Sequence, residues 1–106
     1  MIQNLNQLKK ELKPGRRFEV VNHCRPECVG QVREITLANT VGFYSKDAVN
    51  PENGINCANN GKGSILWWQK AANWSFHDGL CSFYTGEEHS DVSRVISFKM
   101  LEEQAA

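Results

Sequence analysis

The stretch Trp74-Ser75-Phe76-His77-Asp78-Gly79-Leu80-Cys81-Ser82-Phe83 decides the fold, because it predicts a β-hairpin and also the register of its two strands. An Asp-Gly pair between two β-type runs is typical of a two-residue type I′ turn, whose two positions need positive φ. This turn would pair His77 with Leu80 and leave every second side chain of each strand on the same face. We therefore expect Cys81 in the core and His77 on the solvent side. The face predicted to be buried holds Trp74, Phe76, Cys81 and Phe83.

Five more segments have the β-branched and aromatic residues that are typical of strands. No strand–helix–strand alternation is present, so the sheet should be mainly antiparallel. Within residues 29–38, alternation places Arg33, Ile35 and Leu37 on one face of the predicted strand. The five predicted strands cover residues 16–22, 29–38, 40–45, 65–69 and 92–101.

The N-terminal segment predicts one amphipathic helix. Its apolar residues recur at steps of three, three and four from Ile2 to Leu12, which places them on one helix face. Pro14 ends the helix. A helix of about three turns is marginal alone, so it should pack on the sheet or on a neighbouring subunit. The predicted fold is α+β and mainly β: a helix in residues 1–13 packed on a small curled antiparallel sheet or barrel of six to seven strands in residues 16–101.

Residues 47–64 form a long predicted loop without periodicity, rich in asparagine and glycine. Loops of this length in a small domain are usually functional or mobile. Its segment Gly61-Lys62-Gly63-Ser64 lacks the spacing of a Walker loop and precedes a strand rather than a helix. Glycine-rich backbone with a lysine can nevertheless bind an anion. The alternative is a flexible loop whose lysine is solvated.

Length and composition restrict the class of protein. The chain has 106 residues, which suits a single domain spanning 1–106, and 41% of them are hydrophobic, an ordinary globular share. Twelve basic residues balance twelve acidic ones, which excludes a polycation and makes long nucleic acid an unlikely partner. We expect no membrane span, because there is no apolar run of the necessary length. We expect no secretion signal and hence a cytoplasmic location.

The cysteines and histidines do not predict a metal site, a cofactor or an active site. Cys24 and Cys28 are spaced C-x3-C, but no second close pair completes the ligand set that zinc usually takes. In a reducing cytoplasm the four cysteines should be free thiols. His23 adjoins Cys24, yet sequence neighbours seldom align as nucleophile and base. We therefore predict a protein that is not an enzyme and has no catalytic residues.

The candidate binding residues are aromatic and basic. Trp67 and Trp68 are adjacent in a predicted strand, so one should be buried and the other should point outward or lie under another element. An outward tryptophan is typical of a binding hot spot, and one beside basic residues can also stack on a nucleotide base. Together with Arg25, Arg33 and Lys62, the tryptophans could bind a partner protein or a small nucleotide.

Three segments resemble small proteins of temperate phages and mobile elements of Gram-positive gut bacteria. They are R-P-E-x-x-G-Q-x-R-x-I (25–35), A-N-N-G-K-G-S (58–64) and K-A-A-N-W-S-F-x-D-G (70–79). The resemblance implies an inhibitor of a bacterial defence system, like the anti-CRISPR proteins, that binds a host defence protein inside the bacterial host cell. It leaves two alternatives: a nucleotide-binding sponge that sequesters a cyclic nucleotide immune signal, or a small nucleic-acid-binding module. A homo-oligomer is compatible with each.

Overall fold

The structure is a computed structural model that describes residues 2–68 and 70–102, so Met1, Gln69 and residues 103–106 lie outside the described residues. One α-helix, α1, spans Leu5–Glu11, and short 3₁₀ helices cover Pro26–Cys28, Gly54–Cys57 and Ala71–Asn73, with a further helical turn at Ala58–Gly61. The strands are β1 (Arg17–His23), β2 (Val32–Ala38), β3 (Gly42–Asp47), β4 (Ser64–Trp67), β5 (Trp74–His77), β6 (Leu80–Tyr84) and β7 (Arg94–Met100).

The seven strands form one antiparallel sheet in the order β4-β3-β2-β1-β7-β6-β5. The sheet curls into a half-barrel, so the predicted α+β, mainly β class is confirmed. Every pairing joins chain neighbours except that between β1 and β7, which brings the two ends of the chain together. The edges of the sheet are β4 and β5. No helix in the described part of the chain has the length and apolar character needed to cross a membrane.

The predicted hairpin is confirmed together with its register. Trp74 pairs with Phe83 and His77 pairs with Leu80. Asp78 and Gly79 both have positive φ, at 50° and 79°, as a type I′ turn requires. The predicted burial holds for Cys81, which is buried, and for His77, whose side chain is exposed, whereas Phe76 is only partly buried. Ser82, on the same face as His77, is buried against Ser97 of β7, with which it shares a hydrogen bond. Burial raises the pKa of the Cys81 thiol to about 12.

An aromatic core fills the concave side of the sheet. Phe43 of β3 contacts Phe18, Phe98 and Trp74, which come from β1, β7 and β5. Helix α1 covers this cluster with the buried Leu8 and the residue that follows the helix, Leu12. The helix therefore packs on the sheet of its own chain, which was one of the two predicted alternatives. The other was packing on a neighbouring subunit.

The observed elements differ from the predicted ones at two places. The helix is shorter than residues 1–13, because Asn4 caps it by accepting a hydrogen bond from the Gln7 N–H. In β2, a β-bulge between Ile35 and Leu37 shifts the pairing with β3, so Leu37 does not share the face of Ile35. Because an extra residue reverses the alternation that follows it, Ala38 packs against the core instead.

Residues 47–64 are more ordered than an irregular loop. Asp47 ends β3, and its carboxylate accepts hydrogen bonds from the Val49 and Asn50 N–H groups and from the Asn53 amide. The side chain of Asn56 accepts a bond from the Asp47 N–H. These contacts fold the first half of the segment into turns and a 3₁₀ helix, because aspartate and asparagine side chains substitute for backbone partners.

We predict that Gly42→Ala destabilises the protein. A Cβ at Gly42 would clash with the backbone carbonyl of Leu66 in β4, and moving that strand costs about 2 kcal/mol. A Cβ at Gly54 would meet open space, so the matched Gly54→Ala variant should change stability by less than about 0.5 kcal/mol. Urea unfolding of the three proteins measures the difference. Equal stability of the two variants would contradict the close approach of β3 and β4.

Candidate binding surface

The structure does not gather the five predicted binding residues at one place. Trp67, Lys62 and Arg25 are exposed, whereas Arg33 and Trp68 are only 3% and 5% exposed. A buried side chain is not available to a partner at the surface. Arg33 and Trp68 therefore contact other residues inside the fold. Trp67 and Lys62 lie on the β3–β4 side of the sheet, and Arg25 lies in the connection between β1 and β2.

The two adjacent tryptophans lie on opposite sides of the chain, as the alternation predicted. Trp67 is 46% exposed, and Trp68 is buried. The Trp68 ring packs against Phe43, with 5.6 Å between the ring centroids, and the Lys9 ammonium of helix α1 lies 5.7 Å from its centre. The helix therefore covers the second tryptophan and leaves the first one at the surface.

Trp67 belongs to an apolar face on the outer side of β3 and β4. Its neighbour across the strands is Gly42, and the next outward pair along the strands is Tyr44 with Ile65. The bulge in β2 places Leu37 beside Tyr44 on this same side. Phe43 and Leu66, which form the intervening pair, point into the core. We define the outer β3–β4 face as Leu37, Tyr44, Lys62, Ile65 and Trp67.

Lys62 reaches this face from a left-handed turn. Asn59 and Asn60 have φ of 53° and 59°, and Gly61 continues the turn at 85°. The Asn59 amide holds the turn by donating to the Gly63 carbonyl at 2.7 Å. The Lys62 ammonium then lies 5.7 Å from the centre of the Tyr44 ring, within the range of a cation–π contact. The predicted anion-binding glycine loop thus holds its lysine on an aromatic ring.

Arg33 instead organises the polar end of the concave side. Its guanidinium donates to the Gln31 side-chain oxygen and to the Ser64 hydroxyl, both at 3.0 Å. Burial lowers the pKa of Arg33 from its ordinary value, while the nearby Cys28 thiol and Asp47 carboxylate oppose that change. The guanidinium links β2 to β4 across β3, so its role is to hold the strand that carries Trp67.

Arg25 lies apart from the outer β3–β4 face. Its backbone N–H donates to the ring of His23 at 2.9 Å. The pKa of His23 is lowered mainly by burial, and also by the charges of Arg33 and Arg25. These two arginines therefore share an electrostatic environment around His23 at the end of β1, on the other side of β3 from Trp67 in the strand order.

Sequence reasoning missed Tyr44 as a surface residue. Residues 40–45 were predicted as a strand, but the sequence did not show which strand pairs with it. That pairing depends on the path of residues 47–64, which connect β3 to β4. The alternation of Phe43 and Tyr44 signals that one ring is buried and the other is not. Only the pairing with Ile65 shows that the second ring adjoins Trp67 and Lys62.

Comparison of the chain with protein-family models, with curated proteins and with solved structures finds no match. Within residues 2–68 and 70–102, no group of three or more histidine, cysteine, aspartate or glutamate side chains could hold a metal ion.

We predict that Trp67 accounts for most of the fluorescence quenching by a soluble quencher. Trp67→Phe should abolish most of the quenching, because the remaining indoles of Trp68 and Trp74 are each only 5% exposed. The matched Trp68→Phe variant should keep it. Acrylamide titration of both variants measures the difference. Strong quenching that survives in Trp67→Phe would show that a second indole is at the surface.

A second prediction concerns the acid stability that Asp47 provides. Burial opposes ionisation of Asp47, but the hydrogen bonds from Asn50, Asn53 and Val49, with the charge of Arg33, outweigh it and lower the pKa below its ordinary value of 3.8. The ionised form is therefore favoured by folding. Its contribution is present above the unfolded-state pKa and is lost as the pH falls through the lower folded-state value.

Asp47→Asn should accordingly cost about 1 kcal/mol at neutral pH and much less in strong acid. Glu52→Gln is the matched control, since Glu52 is an exposed carboxylate of the same segment. Urea unfolding of both variants and the parent chain at neutral and acidic pH measures the effect. An Asp47→Asn penalty that does not depend on pH would contradict this role of the charge.

Proposed function

We propose that this chain is a non-enzymatic binding protein that contacts a partner protein through the outer β3–β4 face. The observation that carries the proposal is the half-exposed indole of Trp67 on a sheet face that also holds Tyr44 with Lys62 over its ring. Tryptophan and tyrosine dominate the energetic centres of protein interfaces, because each buries a large rigid surface.

The charge of this face selects the chemistry of the partner. Lys62 lies over Tyr44, and Lys46 lies on the same outer side of β3, two positions along. The acidic residue nearest in register, Glu34, is paired with Arg17 at 3.1 Å. An apolar face that holds Lys62, with Lys46 beside it, complements an apolar surface bordered by carboxylates. We therefore propose a partner protein with an acidic rim around an apolar contact.

The resemblance of three segments to phage proteins supports a bacterial defence protein as that partner. In this proposal the chain acts in the bacterial cytoplasm as an inhibitor, in the manner of anti-CRISPR proteins, by covering a surface that the defence protein needs. Inhibition by occlusion requires a stable interface and no chemistry, so the chain would act without a cofactor. A second copy of the chain is the competing occupant of the face.

Two sequence-based alternatives lose part of their basis. A nucleotide site built from Lys62, Arg25 and a tryptophan would need these groups to converge, and Arg25 lies on the other side of β3 in the strand order. A nucleic-acid-binding module would need a basic surface with many phosphate contacts, whereas the chain has no net charge.

The proposal predicts that Trp67→Ala and Lys62→Glu each prevent capture of a defence protein. A tagged chain is used to capture proteins from a bacterial lysate, and the bound proteins are identified by mass spectrometry. Loss of the indole should weaken the complex by about tenfold or more. The controls are Val92→Ala, which alters a 97% exposed side chain, and Lys13→Glu, a matched charge reversal at an exposed position.

Phage plaque counts on a host that carries the captured defence system provide the functional readout. The parent chain and both controls should raise the plaque count, and Trp67→Ala should not. Equal capture by the Trp67→Ala and Val92→Ala chains would contradict the assigned surface. A native mass spectrum that shows a dimer dispersed by Trp67→Ala would assign the face to a second copy of the chain instead.

A further inference from the structure

A cavity of about 360 Å³ lies where the two edges of the half-barrel approach each other. Its apolar lining includes Trp67, Phe83, Tyr84 and Val95, and its polar lining includes Lys70 and Asn73. Small-molecule sites range from ~300 to ~1,000 Å³ and combine an apolar wall with a few polar groups. The volume and the lining of this cavity both have that character. Of the residues that line the cavity, only Trp67 also belongs to the outer β3–β4 face.

The walls of the cavity are held in place before any ligand binds. The Trp74 indole N–H donates to the Trp67 carbonyl at 3.0 Å, which fixes the strand end that carries Trp67. The His89 ring stacks on Tyr84 at 4.4 Å, and its Nε2–H donates to the Ala72 carbonyl at 2.7 Å. His89 therefore connects the wall formed by β6 to the segment that carries Lys70 and Asn73. A preformed wall reduces the entropy that a ligand must lose on binding.

The lining specifies an aromatic ligand with a polar edge and a negative charge. Trp67 presents a half-exposed indole on which a planar ring can stack. Tyr84 is 7% exposed and its ring is covered by His89, so it forms part of the apolar wall. Asn73, which is 7% exposed, contributes an amide that can both donate and accept a hydrogen bond. None of the lining residues that the structure describes is acidic, whereas Lys70 is exposed at the cavity and carries a positive charge.

We infer that this cavity binds a mononucleotide, with the base stacked on Trp67, the base edge toward Asn73 and the phosphate toward Lys70. Base stacking on an aromatic side chain tolerates different bases, whereas an amide reads the base edge. The volume lies near the lower end of the range for ligand sites, so the cavity suits one nucleotide rather than two. The site differs from the sequence-based nucleotide hypothesis, because it uses neither Lys62 nor Arg25.

Calorimetric titration with AMP, GMP, CMP and UMP tests the inference directly on the intact chain. We expect saturable binding of at least one of the four. Adenosine, guanosine, cytidine and uridine, together with inorganic phosphate, separate the contribution of the base from that of the phosphate. A short single-stranded RNA distinguishes a free nucleotide from the end of a strand. Absence of saturable binding for all the nucleotides would overturn the inference, and so would a nucleoside that binds as tightly as its nucleotide.

Matched variants separate this site from the protein interface. Lys70→Gln should weaken the nucleotide about tenfold, whereas Lys62→Gln should leave its affinity unchanged. Trp67→Ala should weaken it by a similar factor through lost stacking. Far-ultraviolet circular dichroism of each variant verifies that it is folded. Nucleotide affinity that is unchanged in both Lys70→Gln and Trp67→Ala would place the ligand elsewhere and overturn the inference, while leaving the protein-binding proposal intact.

Discussion

The hydrogen bond from the Trp74 indole to the Trp67 carbonyl joins the two edges of the curled sheet, and the arrangement of the surface depends on it. Strands β4 and β5 lie at opposite ends of the strand order, so within the described residues no backbone ladder connects them. Trp74 of β5 connects them through two kinds of contact. Its ring packs against Phe43, Phe83 and Phe98 in the core, and its indole N–H donates to the Trp67 carbonyl of β4. A buried indole needs a hydrogen-bond acceptor, and here the acceptor belongs to the residue whose own side chain faces outward.

The local parts of the fold follow from the sequence, and the parts set by distant neighbours do not. The Asp78-Gly79 turn determines the hairpin, and the alternation of its strands determines which side of it is buried, so both could be predicted. The helix could be predicted from the spacing of its apolar residues alone, although the residue at which it begins is set by the Asn4 cap. The bulge in β2 could not be predicted, because it adjusts the pairing with β3, and nothing within residues 29–38 marks it.

The candidate site shows the same limit. Alternation predicted that Trp67 and Trp68 lie on opposite faces, one buried and the other outward or under another element. Which of the two is buried depends on where helix α1 packs. Arg33 was predicted as a binding residue together with Arg25 and Lys62, yet it lies on the buried face of β2 and donates to Gln31 and Ser64. Tyr84 became a candidate only in the folded chain, where it lines the same cavity as Trp67. This cavity lies at the seam, which we define as the approach of β4 to β5 closed by the hydrogen bond from Trp74 to Trp67. Each of these results depends on contacts between residues that are far apart in the sequence.

Trp67 adjoins two features of different character. The outer β3–β4 face beside it is open and carries lysines, which suits a broad protein contact. The cavity beside it is a partly open cleft with three aromatic residues in its lining, which suits a small planar molecule. Trp67 can belong to both the face and the cavity because it is the last residue of the edge strand β4. One side of it adjoins β3, and the other side adjoins the cavity. A ligand in the cavity would therefore lie next to the surface that contacts a protein.

The hydrogen bond from the Trp74 indole to the Trp67 carbonyl is tested most directly by exchange of the indole N–H protons with solvent deuterium, followed by nuclear magnetic resonance. The Trp74 indole is buried and bonded to the Trp67 carbonyl, whereas the Trp67 indole belongs to a side chain that is 46% exposed. We expect the Trp74 indole proton to exchange much more slowly than that of Trp67, because exchange requires the hydrogen bond to open. Exchange of the Trp74 proton as fast as that of Trp67 would contradict the account.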